Sequence, residues 1–188
     1  HCTALTICAE EGRADLIKML LAKGADATWE YSPPKDGATG TSPLSWAVVF
    51  GHADCCRLLI DAKANIDLER HKNGKTKNAE GKEVPDPTVN KDKRTLLMLA
   101  SMSGHAEIAT LLLDEKRKES EEAMLNYLNR HNFAVESALT FCVRYGLSEV
   151  AKVLLDRGIS FEHELVKPYW TSLHRSAGNG HESTVRQL

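Results

Sequence analysis

Cysteine and histidine have the widest chemical repertoire in this chain, because they can act as metal ligands, redox groups or nucleophiles. The 188 residues include five cysteines and eight histidines. Adjacent Cys55 and Cys56 are the best candidates for a redox pair or a metal site. However, neighbouring residues on a helix point about 100° apart, and no histidine lies at ligand spacing. We therefore expect the cysteines to be small core residues in a reducing intracellular compartment, cytoplasmic or nuclear.

The histidines do not form a catalytic pattern. Three of them, His52, His105 and His181, each follow a glycine directly, and recurrence at one position is typical of a structural role. The chain lacks the GxGxxG, GxxxxGK[ST], GxSxG, HExxH and paired CxxC motifs. The sequence therefore predicts no enzymatic activity, no cofactor, no metal site and no small-molecule substrate.

The composition is that of an ordinary folded protein, with 42% hydrophobic and 27% charged residues. A net charge of -2 gives no overall attraction to nucleic acid or to an anionic membrane. No stretch approaches the roughly 18 consecutive apolar residues of a membrane-spanning helix. Because the chain opens at His1 inside a motif, without a secretory signal, we expect a piece of a longer protein.

A repeated pattern of hydroxyl residues, leucines and glycines organises the chain. Five glycines each follow a leucine by seven positions and a Ser or Thr by nine. The hydroxyl is typical of a helix N-cap, and the glycine of a helix end in the left-handed conformation. The glycines are Gly12, Gly51, Gly104, Gly146 and Gly180, the leucines are Leu5, Leu44, Leu97, Leu139 and Leu173, and the N-caps are Thr3, Ser42, Thr95, Ser137 and Thr171.

A second helix with a wide apolar stripe is predicted after each of the first four glycines. This pattern resembles the ankyrin repeat, whose T-P-L-H-x-A signature is echoed by SPLSWA at 42–47 and TSLHRS at 171–176. The resemblance implies an all-α ankyrin-repeat solenoid of five helix-turn-helix repeats. Its Thr-to-His hydrogen bond is available only at His174, the one repeat that keeps the motif histidine.

The predicted single domain, 1–188, divides into five repeats and two insertions, because the aligned glycines are farther apart than about 33 residues. The first insertion, 69–93, is rich in turn residues and is predicted to be a surface loop. With Arg94 it holds eight basic and five acidic residues. The repeats are predicted at about 1–30, 41–68, 94–116, 136–162 and 170–188.

The second insertion, 117–132, is predicted to be helical, because it is rich in helix formers and Lys116 replaces a helix-ending glycine. Its apolar strip is predicted to be buried against the stack, with a docking site as the alternative. Lys116 and Glu119 are predicted to pair on a solvated helix face. The strip comprises Met124, Leu125, Tyr127 and Leu128.

Candidate binding residues occupy one face of the first helices. In the resembled family, the positions five, two and one before each glycine line the concave groove. Several of these positions carry aromatic residues or Arg, which are typical of interfaces. The predicted partner-binding residues are Trp46, Val49, Phe50, Met102, Phe141, Arg144 and Tyr145, with Arg94 and Trp170 just before helix caps. For Trp46 and Phe141 the alternative is that they fill the core.

The resemblance and this face predict a protein–protein interaction module or scaffold, whose partner is another protein and not a membrane or nucleic acid. Two alternatives remain open. The first is contact with a polyanion or nucleic acid through the basic 69–94 loop. The second is a regulatory ankyrin segment of a larger enzyme, whose catalytic domain would lie outside these residues.

Overall fold

The computed structural model describes residues 3–30, 42–67, 69–70, 75–77, 83–85, 94–132, 136–160 and 171–188. The chain divides into two compact units, His1–Leu96 (unit 1) and Leu97–Leu188 (unit 2). The described residues are mainly α-helical in both units.

Unit 1 is built from two helix hairpins. Its helices are α1 (Ala4–Glu10), α2 (Ala14–Ala22), α3 (Pro43–Phe50) and α4 (Ala53–Asp61). Helix α1 packs against α2 and α3, and α4 packs against α2 and α3. The first helices of the two hairpins therefore lie side by side, and so do the second helices. Leu5, Ile17, Leu44, Cys56 and Leu59 form part of the buried core between them.

Unit 2 contains three further helix pairs and one additional helix among its described residues. Its helices are α5 (Leu96–Ser103, whose first residue belongs to unit 1), α6 (Ala106–Glu119), α7 (Glu121–Leu128), α8 (Ala138–Tyr145), α9 (Ser148–Asp156), α10 (Ser172–Gly178) and α11 (Glu182–Gln187). Helix α8 packs against α9 and α10, and α11 packs against α9 and α10. Helix α6 packs against α7 and α9. The prediction of an all-α fold of helix pairs is confirmed.

Hydroxyl side chains begin four of the five first helices, as predicted. The fifth predicted N-cap, Thr95, lies directly before α5 in the extended pair Arg94–Thr95. Thr3, Ser42, Ser137 and Thr171 each accept a hydrogen bond from the backbone N–H three residues later, which satisfies a donor of the first helical turn. In the last pair, the Thr171 hydroxyl also lies 2.8 Å from Nδ1 of His174. This is the predicted Thr-to-His contact.

Glycines in the left-handed conformation end the same helices. Gly51 follows α3 with φ 83° and Gly146 follows α8 with φ 70°. Most residues adopt this conformation only at a cost, which explains why glycine recurs here. All five aligned glycines, Gly12, Gly51, Gly104, Gly146 and Gly180, have positive φ.

The 69–93 insertion differs from the predicted loop, because its described residues form short antiparallel strand pairs. Strand β1 (Glu69–Arg70) pairs with β4 (Arg94–Thr95), and β2 (Lys75–Lys77) pairs with β3 (Glu83–Pro85). Thr76 and Val84, which favour extended backbone, are register partners in the second pair. The β1–β4 pair brings the two ends of the insertion together.

The helical insertion follows its prediction in most respects. Helix α6 has 14 residues, whereas α2, α4 and α9 each have nine, so it does continue past Lys116. It ends at Ser120, whose extended backbone and side chain begin α7. Met124, Tyr127 and Leu128 are buried as predicted, but Leu125 is exposed.

Lys116 is buried, so the predicted solvated pair with Glu119 is wrong for the lysine. Its Nζ donates to Glu119 Oε1 at 2.9 Å and lies 5.9 Å from the centroid of the Tyr127 ring. The Tyr127 hydroxyl accepts a hydrogen bond from the backbone N–H of Leu97 at 3.3 Å. Helix α7 therefore covers the aliphatic part of Lys116 through Tyr127, while the ammonium group stays paired with Glu119.

Candidate protein-binding surface

In unit 1, three aromatic rings form a row at the end of α3. Trp46 and Phe50, one turn apart, have ring centroids 5.7 Å apart and an interplanar angle of 13°. The Phe50 and His52 rings follow at 6.5 Å and 17°. Phe50 is 47% exposed, while Trp46 is half-buried. The row presents a partly exposed aromatic surface of the kind that dominates protein interfaces.

The opposite side of α3 anchors this surface. Leu44, Ala47 and Val48 on that side are fully buried, and Ser42 begins the helix with a reciprocal capping interaction. The helix is thus held mainly by side chains other than Phe50. This arrangement leaves Trp46, Val49 and Phe50 as the side that is not fully buried, as the spacing predicted.

His52 attaches this hairpin to the preceding one. Its Nε2 donates to the carbonyl oxygen of Glu10 at 3.0 Å. In unit 2, His181 donates in the same way to the carbonyl oxygen of Arg144 at 3.1 Å. The predicted structural role is therefore confirmed for these two recurring histidines.

The end of α1 lies beside the aromatic row, because His52 both stacks with Phe50 and bonds to Glu10. Ile7, one turn earlier on α1, is 50% exposed. Glu11 is exposed and Glu10 is half-buried. We call Ile7, Glu10, Glu11, Trp46, Val49 and Phe50 the first-helix surface of unit 1.

In unit 2, Tyr145 is 50% exposed at the end of α8, and Met102 on α5 is partly buried. Phe141 is completely buried. The structure therefore favours the alternative for Phe141, a core residue, because a side chain without exposed area does not meet a partner. We call Met102, Arg144 and Tyr145, the partly exposed residues at the predicted positions, the first-helix surface of unit 2.

Arg144 is committed to internal contacts. Its guanidinium forms an ion pair with the buried Glu136 and lies 5.5 Å from the centroid of the Phe141 ring. Glu136 is held in turn by Asn132, whose amide donates to its Oε2 at 3.0 Å. The Arg144 side chain keeps 35% of its area exposed. It therefore positions its neighbours as well as contributing to the surface.

The two residues predicted before helix caps have different outcomes. Arg94 is half-buried in β4, where it pairs in register with Arg70. Trp170 lies outside the described residues. Glu136 also lies directly before a helix cap, Ser137, but it was not among the predicted site residues. It binds Arg144 and is itself held by Asn132.

The described cysteines belong to the core, as predicted: Cys8, Cys55, Cys56 and Cys142 are buried free thiols. Burial, with a smaller contribution from neighbouring Cys55, raises the pKa of Cys56 to about 12. Across the described part of the chain, no group of three or more His, Cys, Asp or Glu residues is arranged to hold a metal ion. Within that same part, no helix has the length and apolar character needed to cross a bilayer.

Comparison with known proteins agrees with this architecture. The family model for ankyrin repeats (3 copies) matches residues 1–71 and 73–164. The chain therefore belongs to the ankyrin-repeat family, whose repeats generally serve as protein–protein interaction modules.

Two relatives with significant similarity are much longer than this chain. It is 31% identical over 166 residues, 83% of the chain, to the Ankyrin repeat and KH domain-containing protein mask-1 of Caenorhabditis elegans. It is 30% identical over 111 residues, 59% of the chain, to the Ankyrin repeat and KH domain-containing protein 1 of Homo sapiens. These matches span 6% and 3% of the two relatives' lengths.

Proposed function

We propose that this ankyrin-repeat chain binds another protein through the first-helix surfaces of its two units. The observation that carries the proposal is the exposure of large side chains on helices that are already anchored elsewhere. Ile7, Phe50 and Tyr145 are each about half exposed, at 50%, 47% and 50%. A fold without a partner would be equally well served by polar residues at these positions.

The second helices provide a contrast, because most of what they expose is charged. Helix α4 exposes Asp54, Arg57 and Asp61, and α9 exposes Glu149, Lys152 and Asp156. Aromatic side chains bury a large apolar area on binding and are enriched among residues whose loss weakens interfaces most. This difference between the two sides supports a contact role for the first helices.

Affinity capture from cell extract tests the proposal. The double variant Phe50→Glu with Tyr145→Glu places charge on both first-helix surfaces. We expect it to capture at least about tenfold less of each specific partner, which corresponds to the loss of one strong contact residue. Met19→Glu is the matched control, because Met19 is 60% exposed but lies on the second helix α2.

Equal helical circular dichroism of all three proteins establishes that the variants are folded. Partners lost by the double variant and kept by the control support the proposal. Unchanged retention of every partner by the double variant contradicts it. If the double variant still captures nucleic acid, and a chain lacking residues 72–90 does not, then contact with nucleic acid through the basic insertion is favoured instead.

A further inference from the structure

The first-helix surface of unit 1 has charge of one sign. Helices α1 and α3 contain no Lys or Arg among their residues, Ala4–Glu10 and Pro43–Phe50. Their charged side chains are those of Glu10 and of Glu11, which caps the end of α1. A cationic group approaching this surface therefore meets attraction without a competing repulsion from these two helices.

The two carboxylates are available to such a group. Within the described residues, neither the Glu10 nor the Glu11 side chain makes a hydrogen bond or an ion pair. Two other acidic side chains of unit 1 are already engaged in ion pairs. Asp15 pairs with Arg13 at 3.1 Å, and Asp54 pairs with Arg57 at 2.7 Å.

Helix stability does not explain the position of these carboxylates. The C-terminal end of a helix carries partial negative charge, so acidic residues are disfavoured there and basic residues are favoured. Helix α6 follows this rule with Lys116, Arg117 and Lys118 in its last turn. Helix α1 does the opposite, with Glu10 and Glu11 at its end and no basic residue in its last turn.

The acidic end of α1 is also fixed beside an apolar contact surface. The hydrogen bond from His52 to the Glu10 carbonyl, at 3.0 Å, joins it to the ring row that contains Phe50. Ile7 exposes half of its side chain one turn back. An arginine or lysine can lay its aliphatic stem on apolar groups while its charged end meets carboxylates, and guanidinium groups also stack on aromatic rings.

We infer that the first-helix surface of unit 1 binds a protein segment that carries arginine or lysine next to an apolar side chain. This inference rests on the proposed function and adds the chemistry of the partner to it. Phe50 and Ile7 contact the apolar residue and the stem of the basic residue. Glu10 and Glu11 bind the charged group.

Binding of three labelled peptides to the full chain, measured by fluorescence anisotropy, tests the inference. The peptides are nonapeptides with the same leucines and with Arg, Gln or Glu at the intervening positions. We expect the Arg peptide to bind at least tenfold more tightly than the Gln peptide and the Glu peptide to bind most weakly. Glu10→Gln with Glu11→Gln should remove the advantage of the Arg peptide, and Phe50→Ala should weaken both the Arg and Gln peptides.

The double variant Asp61→Asn with Asp156→Asn is the matched control. These carboxylates are exposed at the ends of second helices, and their removal changes the net charge by the same amount. The Arg peptide should keep its advantage in this control. If both double variants lose the advantage of the Arg peptide equally, the attraction comes from the overall charge of the protein, and the inference is overturned.

Two further outcomes separate this inference from the proposed function. Equal binding of the Arg and Gln peptides, with both weakened by Phe50→Ala, overturns the inference while supporting a contact role for the surface. No measurable binding of the Arg peptide also overturns the inference, and the capture experiment then decides on the proposed function independently.

Discussion

The imidazole ring of His52 fills the space beside Gly12 that a side chain there would need. A Cβ atom added to Gly12 would lie 2.6 Å from Nδ1 of His52, while Nε2 of the same ring donates to the carbonyl oxygen of Glu10. His181 has the same relationship to Gly146, again at 2.6 Å. At these two places a histidine after one helix-ending glycine thus packs on the glycine of the preceding pair, whereas the residue that faces Gly104 is Leu147.

Gly12→Ala should therefore destabilise the protein more than Gly24→Ala. Both glycines have positive φ, 69° and 85°, where alanine costs roughly 1–2 kcal/mol. A Cβ on Gly24 would meet nothing within 4 Å, whereas one on Gly12 must displace His52, at about 1–3 kcal/mol more. Urea unfolding measures both changes, and His52→Ala should shrink the difference. Equal costs would contradict the packing relationship.

Glu136→Ala should destabilise the protein by about 2 kcal/mol, because it removes the carboxylate that accepts from both the Arg144 guanidinium and the Asn132 amide. The matched control is Glu182→Ala. Glu182 pairs with Arg186 on the exposed face of α11, and loss of such a pair costs no more than about 0.5 kcal/mol. The free energies of unfolding in urea compare the two. A similar small cost for both would mean that the buried pair contributes little.

We expect Cys56 to make the free energy of unfolding depend on pH in the alkaline range. Burial raises its pKa from 9.0 to about 12, so the folded state holds this proton more tightly than the unfolded state. The contribution of this thiol to the free energy of unfolding is complete below about pH 9 and is lost as pH rises towards about 12. The urea midpoint should fall over this range in the wild type and fall less in Cys56→Ala.

Val48→Ala, which also removes volume from a buried side chain but has no titrating group, should keep the wild-type pH dependence. Parallel curves for the wild type and Cys56→Ala would show that this thiol does not supply the alkaline sensitivity.

Deletion of residues 72–90 should change the free energy of unfolding by less than about 1 kcal/mol. The β1–β4 pair places Arg70 opposite Arg94, so residues 71 and 91–93 remain as a connection of hairpin length. Deletion of α7, which buries Met124, Tyr127 and Leu128, should destabilise the protein much more. Thermal unfolding compares the two deletions. A comparable fall in melting temperature would mean that the 69–93 insertion supports the core.

The repeat architecture could be predicted because its signals act within single helices. Ser42 and Gly51 set the two ends of α3 through contacts with adjacent turns of the same helix, and the same pair of signals recurs along the chain. The apolar spacing between them then fixes which side is buried. These relationships depend on local geometry that the order of residues already contains.

The remaining features depend on contacts between elements. Phe141 and Tyr145 are aromatic residues on one predicted face, yet the first is buried and the second exposed, because other elements cover Phe141. Glu136, which pairs with Arg144, is also held by the amide of Asn132. Lys116 is buried because α7 brings Tyr127 over its stem. No local pattern specifies these neighbours.

Hydroxyl-radical footprinting of the chain, alone and with a captured partner, tests most directly whether the first-helix surfaces are the binding surfaces. Ile7, Met19, Phe50 and Tyr145 are all large side chains exposed by about half or more, so their oxidation is measurable in the free protein. We expect the partner to protect Phe50 and Tyr145 while Met19 on the second-helix side reacts as before. Protection of Met19 with unchanged oxidation of Phe50 and Tyr145 would contradict this account.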